Sequence, residues 1–357
     1  MRRLSRDGLV EPRQTLLGVR RLLILGIWLS LVSCQSRETK SRSSRVEAMS
    51  ATGVRALRRV PTAPPTPTGR YALLVGIGRY PDATDNLSSP PFEIAAMRDL
   101  LINKFQFPAE NILVLSDNEA TRTAILHGIE EHLGQADSAG LAFLLFSGHG
   151  AQLDSDYSIP SKPSGDQALF VWDSGGKATI ILDDEVGYEL RALSAGRVLF
   201  VVDACFSGTM YKLMAREGSA RVTYVAGTEK IQRKVMSVGT LEPGPGVVFP
   251  SHFVSDGSDT VGFGNIASLS ASDEDHSAWT LTNWPTVGTS RSVFGYFLDR
   301  VLAGALGGET PSDVASRVTD SIGRSTACLK HQACETPVAG GTQAQVPLTL
   351  LLGGSTP

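Results

Sequence analysis

From Tyr71 to Leu352 the chain alternates short, almost unbroken apolar runs with segments of helical periodicity. Runs such as Leu141-Ala142-Phe143-Leu144-Leu145-Phe146 have no polar face, so a sheet built from them must be covered on both sides. The pattern therefore predicts an α/β fold: a mostly parallel sheet of about six strands flanked by helices. Strand candidates are Tyr71 to Ile77, Asn111 to Leu115, Leu141 to Phe146, Ala168 to Trp172, Thr179 to Leu182, Arg197 to Val202, Gly264 to Ser270 and Val346 to Leu352. Helix candidates lie near Glu93 to Lys104, Thr121 to Leu133, Asp184 to Leu193, Ser292 to Ala303 and Thr310 to Arg324. No internal repeat is present, and 42% hydrophobic with 19% charged residues excludes disordered, collagen-like and multi-span membrane classes. Residues 216–262, rich in Gly, Ser, Arg and Lys, read as a functional or mobile loop insertion.

The first seventy residues follow different rules. Residues 1–21 carry six arginines against Asp7 and Glu11, and an eleven-residue apolar run, Leu22 to Val32, follows. That run is too short to span a bilayer, which takes about 20 apolar residues, and its basic front end is that of a secretory signal. It closes on Leu31-Val32-Ser33-Cys34, which resembles the lipobox of bacterial lipoproteins. The resemblance implies cleavage after residue 33 and acylation of Cys34, with two or more chains giving stable anchoring. Gln35 in place of Asp implies, by the same resemblance, the outer membrane over inner-membrane retention, and the signal as a whole implies an exported, membrane-anchored protein at the outer membrane or periplasmic face rather than in the cytoplasm. Residues 34–69, ending in Pro61-Thr62-Ala63-Pro64-Pro65-Thr66-Pro67, read as a disordered tether to a body spanning 70–355. From Tyr71 on there are 19 basic and 32 acidic residues, so an acidic body hangs on a basic leash. This balance argues against nucleic-acid binding and suits cationic peptide partners.

Of four cysteines, Cys34 is the lipid candidate. Cys328 and Cys334, five residues between them in a polar loop, form either a small disulfide or two thiols in an exported protein. That leaves Cys205 alone.

Two apolar strands end in reactive residues. Leu141 to Phe146 runs into Ser147-Gly148-His149-Gly150, and Arg197 to Val202 runs into Asp203-Ala204-Cys205-Phe206-Ser207-Gly208. Ligands of open α/β sheets bind beyond the carboxyl ends of strands, so a His and a Cys there can face one cleft. Thiolate nucleophile, imidazole base and glycine-exposed N–H groups suffice for acyl transfer. Singly, a buried His or Cys has a plain structural reading; jointly, beside Gly at two strand ends, the pair reads as a catalytic dyad.

On these residues the chain resembles the caspase-like cysteine peptidases, and among them the metacaspases and their bacterial relatives. His149 and Cys205 are 56 residues apart, close to the roughly 50 of caspases. Tyr71 to Ile77, Asp183-Asp184-Glu185, Ser270-Ala271-Ser272-Asp273-Glu274 and Phe294-Gly295-Tyr296-Phe297 also match, in order, across about 280 residues. The resemblance implies a caspase-like three-layer sandwich and a metal-free endopeptidase: Cys205 attacks, His149 moves the proton, and the N–H groups of Cys205 and Gly150 hold the oxyanion. Asp203 stands where caspases proper have Gln, which implies a P1 pocket for Arg or Lys, with Glu93 a candidate second pocket carboxylate. Asp173, Asp183 and Asp184 match positions that bind activating calcium in some metacaspases. Lys212 stands where a fourth carboxylate is expected and would repel the ion, so the sequence leans against calcium and against any cofactor.

His127 and His132 read as surface residues, and Gly76-Ile77-Gly78 as an incomplete dinucleotide motif blocked by Pro81. The expectation is a membrane-tethered cysteine endopeptidase that cuts its own basic loop, containing Arg216, Arg221, Lys230, Arg233 and Lys234, and its basic tether. The rival reading is a non-catalytic or latent module that binds peptides or partner proteins through the same cleft.

Overall fold

A computed structural model describes residues 69–152, 167–205, 223–226, 229–234, 265–272 and 277–353. Residues 1–68, which hold the stretches expected to be signal and tether and Cys34, lie outside these, as do Lys212, Arg216 and Arg221.

Thirteen described strands are β1 (Arg70–Gly76), β2 (Ile112–Ser116), β3 (Leu141–Ser147), β4 (Gly150–Gln152), β5 (Gln167–Trp172), β6 (Ala178–Leu182), β7 (Arg197–Asp203), β8 (Thr223–Ala226), β9 (Glu229–Arg233), β10 (Ile266–Ser270), β11 (Trp279–Thr282), β12 (Ser290–Ser292) and β13 (Val338–Gly340). The helices are α1 (Pro90–Asn103), α2 (Arg122–His127), α3 (Asp183–Ala192), α4 (Val293–Ala303), α5 (Pro311–Gly323) and α6 (Thr326–His331). The main sheet has the order β13-β10-β7-β3-β1-β2, parallel throughout except for the edge strand β13.

The strand periodicity of two sorts side chains between two cores. Ala72, Leu74, Phe143, Leu145, Leu199 and Val201 face one side, with Met97 and Leu101 of α1, Leu298 of α4 and Val318 of α5. Leu73, Val75, Leu144, Phe146, Phe200 and Val202 face the other, with Ile125 of α2 and Val186 and Leu190 of α3. This is the three-layer arrangement expected from strands apolar on both faces. Local signals start the helices: Pro90 opens α1, Ser292 Oγ accepts from Gly295 N in α4, and Thr310 with Asp313 forms a capping box on α5.

Three expectations are corrected. Val346 to Leu352 is not a strand; residues Thr349–Gly353 form a π-helical turn, and the sheet ends instead on β13. Leu348, Leu351 and Leu352 are buried, and a short apolar run of that kind does not distinguish strand from buried helical turn. Second, the 216–262 stretch contains β8 and β9, which join β11 and β12 in an antiparallel sheet of order β12-β11-β9-β8. Third, His132 is half-buried, its Nε2 within hydrogen-bond distance of the carbonyls of Ala72 (3.1 Å) and Asn111 (3.0 Å), so it ties β1 to the approach of β2; His127 is exposed.

Candidate active site

Parallel pairing of β3 with β7 puts Ser147 directly opposite Asp203. His149 and Cys205 each follow two residues later, so adjacent strand ends deliver both to the same edge of the sheet. Backbone here approaches so closely that a Cβ on Gly150 would stand 2.3 Å from the carbonyl oxygen of Cys205. Only glycine fits there, which accounts for the Gly after His149.

His149 is buried and held from two sides. Its backbone N–H donates to the Tyr80 hydroxyl at 2.8 Å, and the two rings lie 4.8 Å apart. Its Nε2 faces the carbonyl oxygen of Asp85 at 2.7 Å. A carbonyl only accepts, so Nε2 carries the proton and Nδ1 is the basic nitrogen of the neutral ring. Cys205, 2% exposed, is bracketed by Ala278: the Ala278 N–H donates to Sγ at 3.2 Å, and Sγ–H donates to the Ala278 carbonyl at 3.4 Å.

Lys234, the residue after β9, fills the space between these groups. Its backbone N–H donates to the Ala278 carbonyl at 3.0 Å. Its carbonyl oxygen accepts from Gly150 N–H at 3.0 Å and from Cys205 N–H at 3.4 Å. Its ammonium is fully buried and donates to Ser147 Oγ (3.0 Å), the Asp203 carbonyl (3.1 Å) and Asp203 Oδ2 (2.5 Å). Such a buried pair is stable only when its remaining polar atoms are also satisfied. Here Ser147 Oγ donates to Asp203 Oδ2 at 3.0 Å and Ser292 Oγ to Asp203 Oδ1 at 2.7 Å.

The sequence-predicted residues are thus distributed unevenly. Cys205, Gly150 and Asp203 bond directly to Lys234, and His149 precedes Gly150 at the same strand edge. Glu93 is buried nearby but bonded elsewhere, to Arg291 Nε and Nη2 (both 2.9 Å) and to Ser292 N–H (2.7 Å). Arg291 also reaches Asp299 at 2.6 Å. Burial raises the Glu93 carboxyl to about 7 against the opposing pull of Arg291, and raises Asp299 to about 6. Asp173 is spent on its own turn, accepting from Gly175 N–H (2.8 Å) and Lys177 N–H (2.7 Å), and Asp183 accepts from Gln167 N–H at 3.3 Å. The Asp184 side chain lies outside the described residues, among which no cluster of three candidate metal ligands occurs. Cys328 and Cys334 are joined in a disulfide.

Sequence reasoning did not find Tyr80, the Asp85 carbonyl, Ala278, Ser292 or Arg291. Ser147 stands inside the Ser147-Gly148-His149-Gly150 motif and Ser292 at the start of a helix candidate, but neither hydroxyl is marked by its local sequence as a partner of Asp203. The others act through backbone atoms or long-range contacts and had none.

The family model Peptidase_C14, the caspase domain, matches residues 69–349. The chain is 34% identical over 170 residues to metacaspase-3 of Arabidopsis thaliana, covering 43% of this chain and 46% of that protein. It is 32% identical over 161 residues to metacaspase-2 of the same plant (42% and 37%), and 27% identical over 146 residues to metacaspase-1 of Schizosaccharomyces pombe (39% and 34%). It spans less than half the length of these relatives. The solved structure of protein GSU0716 from Geobacter sulfurreducens has the same fold, with a TM-score of 0.50, 18% identity and coverage of 76% of this chain and 93% of that one. The match over residues 69–349, on a fold that brings a Cys and a His to neighbouring strand ends, shows that the chain belongs to the caspase-domain family of peptidases.

Proposed function

We propose that the protein is a cysteine endopeptidase that cuts after Arg or Lys, and that Lys234 is its own first substrate. One observation carries the reading: a lysine carbonyl accepts from the N–H groups of Gly150 and Cys205 while the same lysine's ammonium rests on Asp203. Those are the contacts a scissile residue requires.

In this account Nδ1 of His149 takes the thiol proton and Sγ of Cys205 attacks the Lys234 carbonyl carbon. The oxygen becomes an oxyanion between two preorganised N–H donors, and the Asp85 carbonyl stabilises the imidazolium through Nε2–H. His149 then protonates the Val235 amine, the Lys234–Val235 bond breaks, and water releases Lys234 from the thioester. A substrate would take the place of β9, pairing antiparallel with β11 as Arg233, Gln232, Ile231 and Lys230 pair with Trp279, Thr280, Leu281 and Thr282. The occupied cleft supports the latent form of the rival reading, a precursor that waits for its own cut. No metal enters these steps, and calcium remains unfavoured as a cofactor.

The proposal extends to the N-terminus: acylation of Cys34 and export as a bacterial lipoprotein, with the peptidase on the outer or periplasmic side of a membrane. No helix among the described residues is long and apolar enough to cross one. Labelling with a fatty-acid analogue, lost in Cys34→Ala, tests the anchor. Fluorogenic peptides with Arg, Lys or Asp at P1 test the activity. Turnover of the basic peptides that vanishes in Cys205→Ala supports it; cleavage after Asp alone contradicts it.

A further inference from the structure

The P1 pocket is built for one kind of cation, and this inference rests on the peptidase reading above. An ammonium has three donors, and the Lys234 ammonium meets three acceptors, two on Asp203 and one on Ser147. A guanidinium is longer, carries five donors in a planar fork, and binds well where a carboxylate offers both oxygens. Asp203 does not offer both equally: Oδ1 already accepts from the Ser292 hydroxyl at 2.7 Å, and Ser292 Oγ itself accepts from Gly295 N–H at 3.2 Å to cap α4. Displacing the Ser292 side chain from Oδ1 would also pull its oxygen away from the start of α4.

Glu93 is the next carboxylate, one serine away from Asp203, and the charges of Asp203 and Lys234 both act on it. Its two oxygens already receive a guanidinium fork from Arg291, and Ser292 N–H besides. Space behind it is closed too, since a Cβ on Gly295 would stand 2.1 Å from Glu93 Oε2. We infer that Arg291 makes the pocket lysine-selective: it holds from inside the protein the fork that a P1 arginine would need, and its charge repels a second guanidinium. Arg291 is a specificity-determining residue that never touches the scissile bond.

The test compares peptides identical except for Lys or Arg at P1, with the full-length, self-processed enzyme. The expected kcat/KM favours Lys by about tenfold or more, the scale of one lost polar contact in a buried pocket. In the precursor, Lys234→Arg should slow self-cleavage by a similar factor. Arg291→Lys cannot fork Glu93 and should narrow the Lys-to-Arg ratio at least about threefold, while Arg291→Met should narrow it further. Equal or better cleavage after Arg, or Lys234→Arg self-cleaving at the wild-type rate, would overturn the inference. So would an unchanged ratio in folded Arg291→Lys. Cleavage after neither residue would instead bring down the peptidase reading, and this inference with it.

Discussion

Lys234 Nζ lies 2.5 Å from Asp203 Oδ2, and neither side chain is exposed to solvent. The ammonium comes from the residue just after β9 and the carboxylate from the residue that ends β7, so one ion pair joins the small antiparallel sheet to the strand that leads to Cys205. Charges sealed this way are costly to separate, and each becomes a burden when the other is removed.

Asp203→Asn should therefore destabilise the uncut precursor by about 3–5 kcal/mol, the cost of stranding a buried charge. Adding Lys234→Met should recover most of that loss. Denaturant unfolding of the two variants and wild type, each with Cys205→Ala to prevent cutting, reads the coupling. A double variant no more stable than Asp203→Asn would show that the pair is not coupled.

Gly150→Ala places a methyl 2.3 Å from the Cys205 carbonyl, a backbone atom that cannot step aside. Self-cleavage should fall by about 10²-fold or more, as when an oxyanion donor is displaced. Band intensity against time checks it; wild-type processing would remove Gly150 from the site.

The Trp279 N–H donates to the buried Glu335 carboxylate at 2.6 Å, one residue after the Ala278 that brackets Cys205. Glu335→Ala leaves that N–H without its acceptor, at a cost of about 1–3 kcal/mol, and should slow self-cleavage. Glu335→Gln keeps a carbonyl acceptor and should preserve both. Equal behaviour of the two variants would contradict the role.

Glu93 has a carboxyl raised from its ordinary 4.5 to about 7, so the folded protein holds a proton there that the unfolded chain has released. Its contribution is complete below the unfolded value and is lost as pH rises through the folded one, with Asp299 adding a similar loss between 3.8 and about 6. Unfolding free energies should thus fall more steeply across this window for wild type than for Glu93→Gln. Parallel curves would contradict the shift.

The sequence made the strands that deliver His149 and Cys205 plain because β3 and β7 are apolar on both faces and end abruptly, one in a Gly-flanked His and the other in Asp203-Ala204-Cys205. That density of signal fixes strand type, order of motifs and the cleft together. The second sheet was hidden because β9, β11 and β12 are short and partly polar, and their pairing is set by tertiary contact rather than by periodicity. Glu93 could be named as a pocket residue, but its partner Arg291 lies 198 positions away, and nothing local couples them. Lys234 was one of five basic residues in the loop; only the fold singles it out.

Mass spectrometry of the purified full-length protein, incubated under reducing conditions beside Cys205→Ala and His149→Ala, tests the account most directly. A single first cut between Lys234 and Val235 in the wild type, absent from both variants, is the predicted result. An intact wild-type chain with a reactive Cys205, or a first cut elsewhere that survives in the variants, would contradict it.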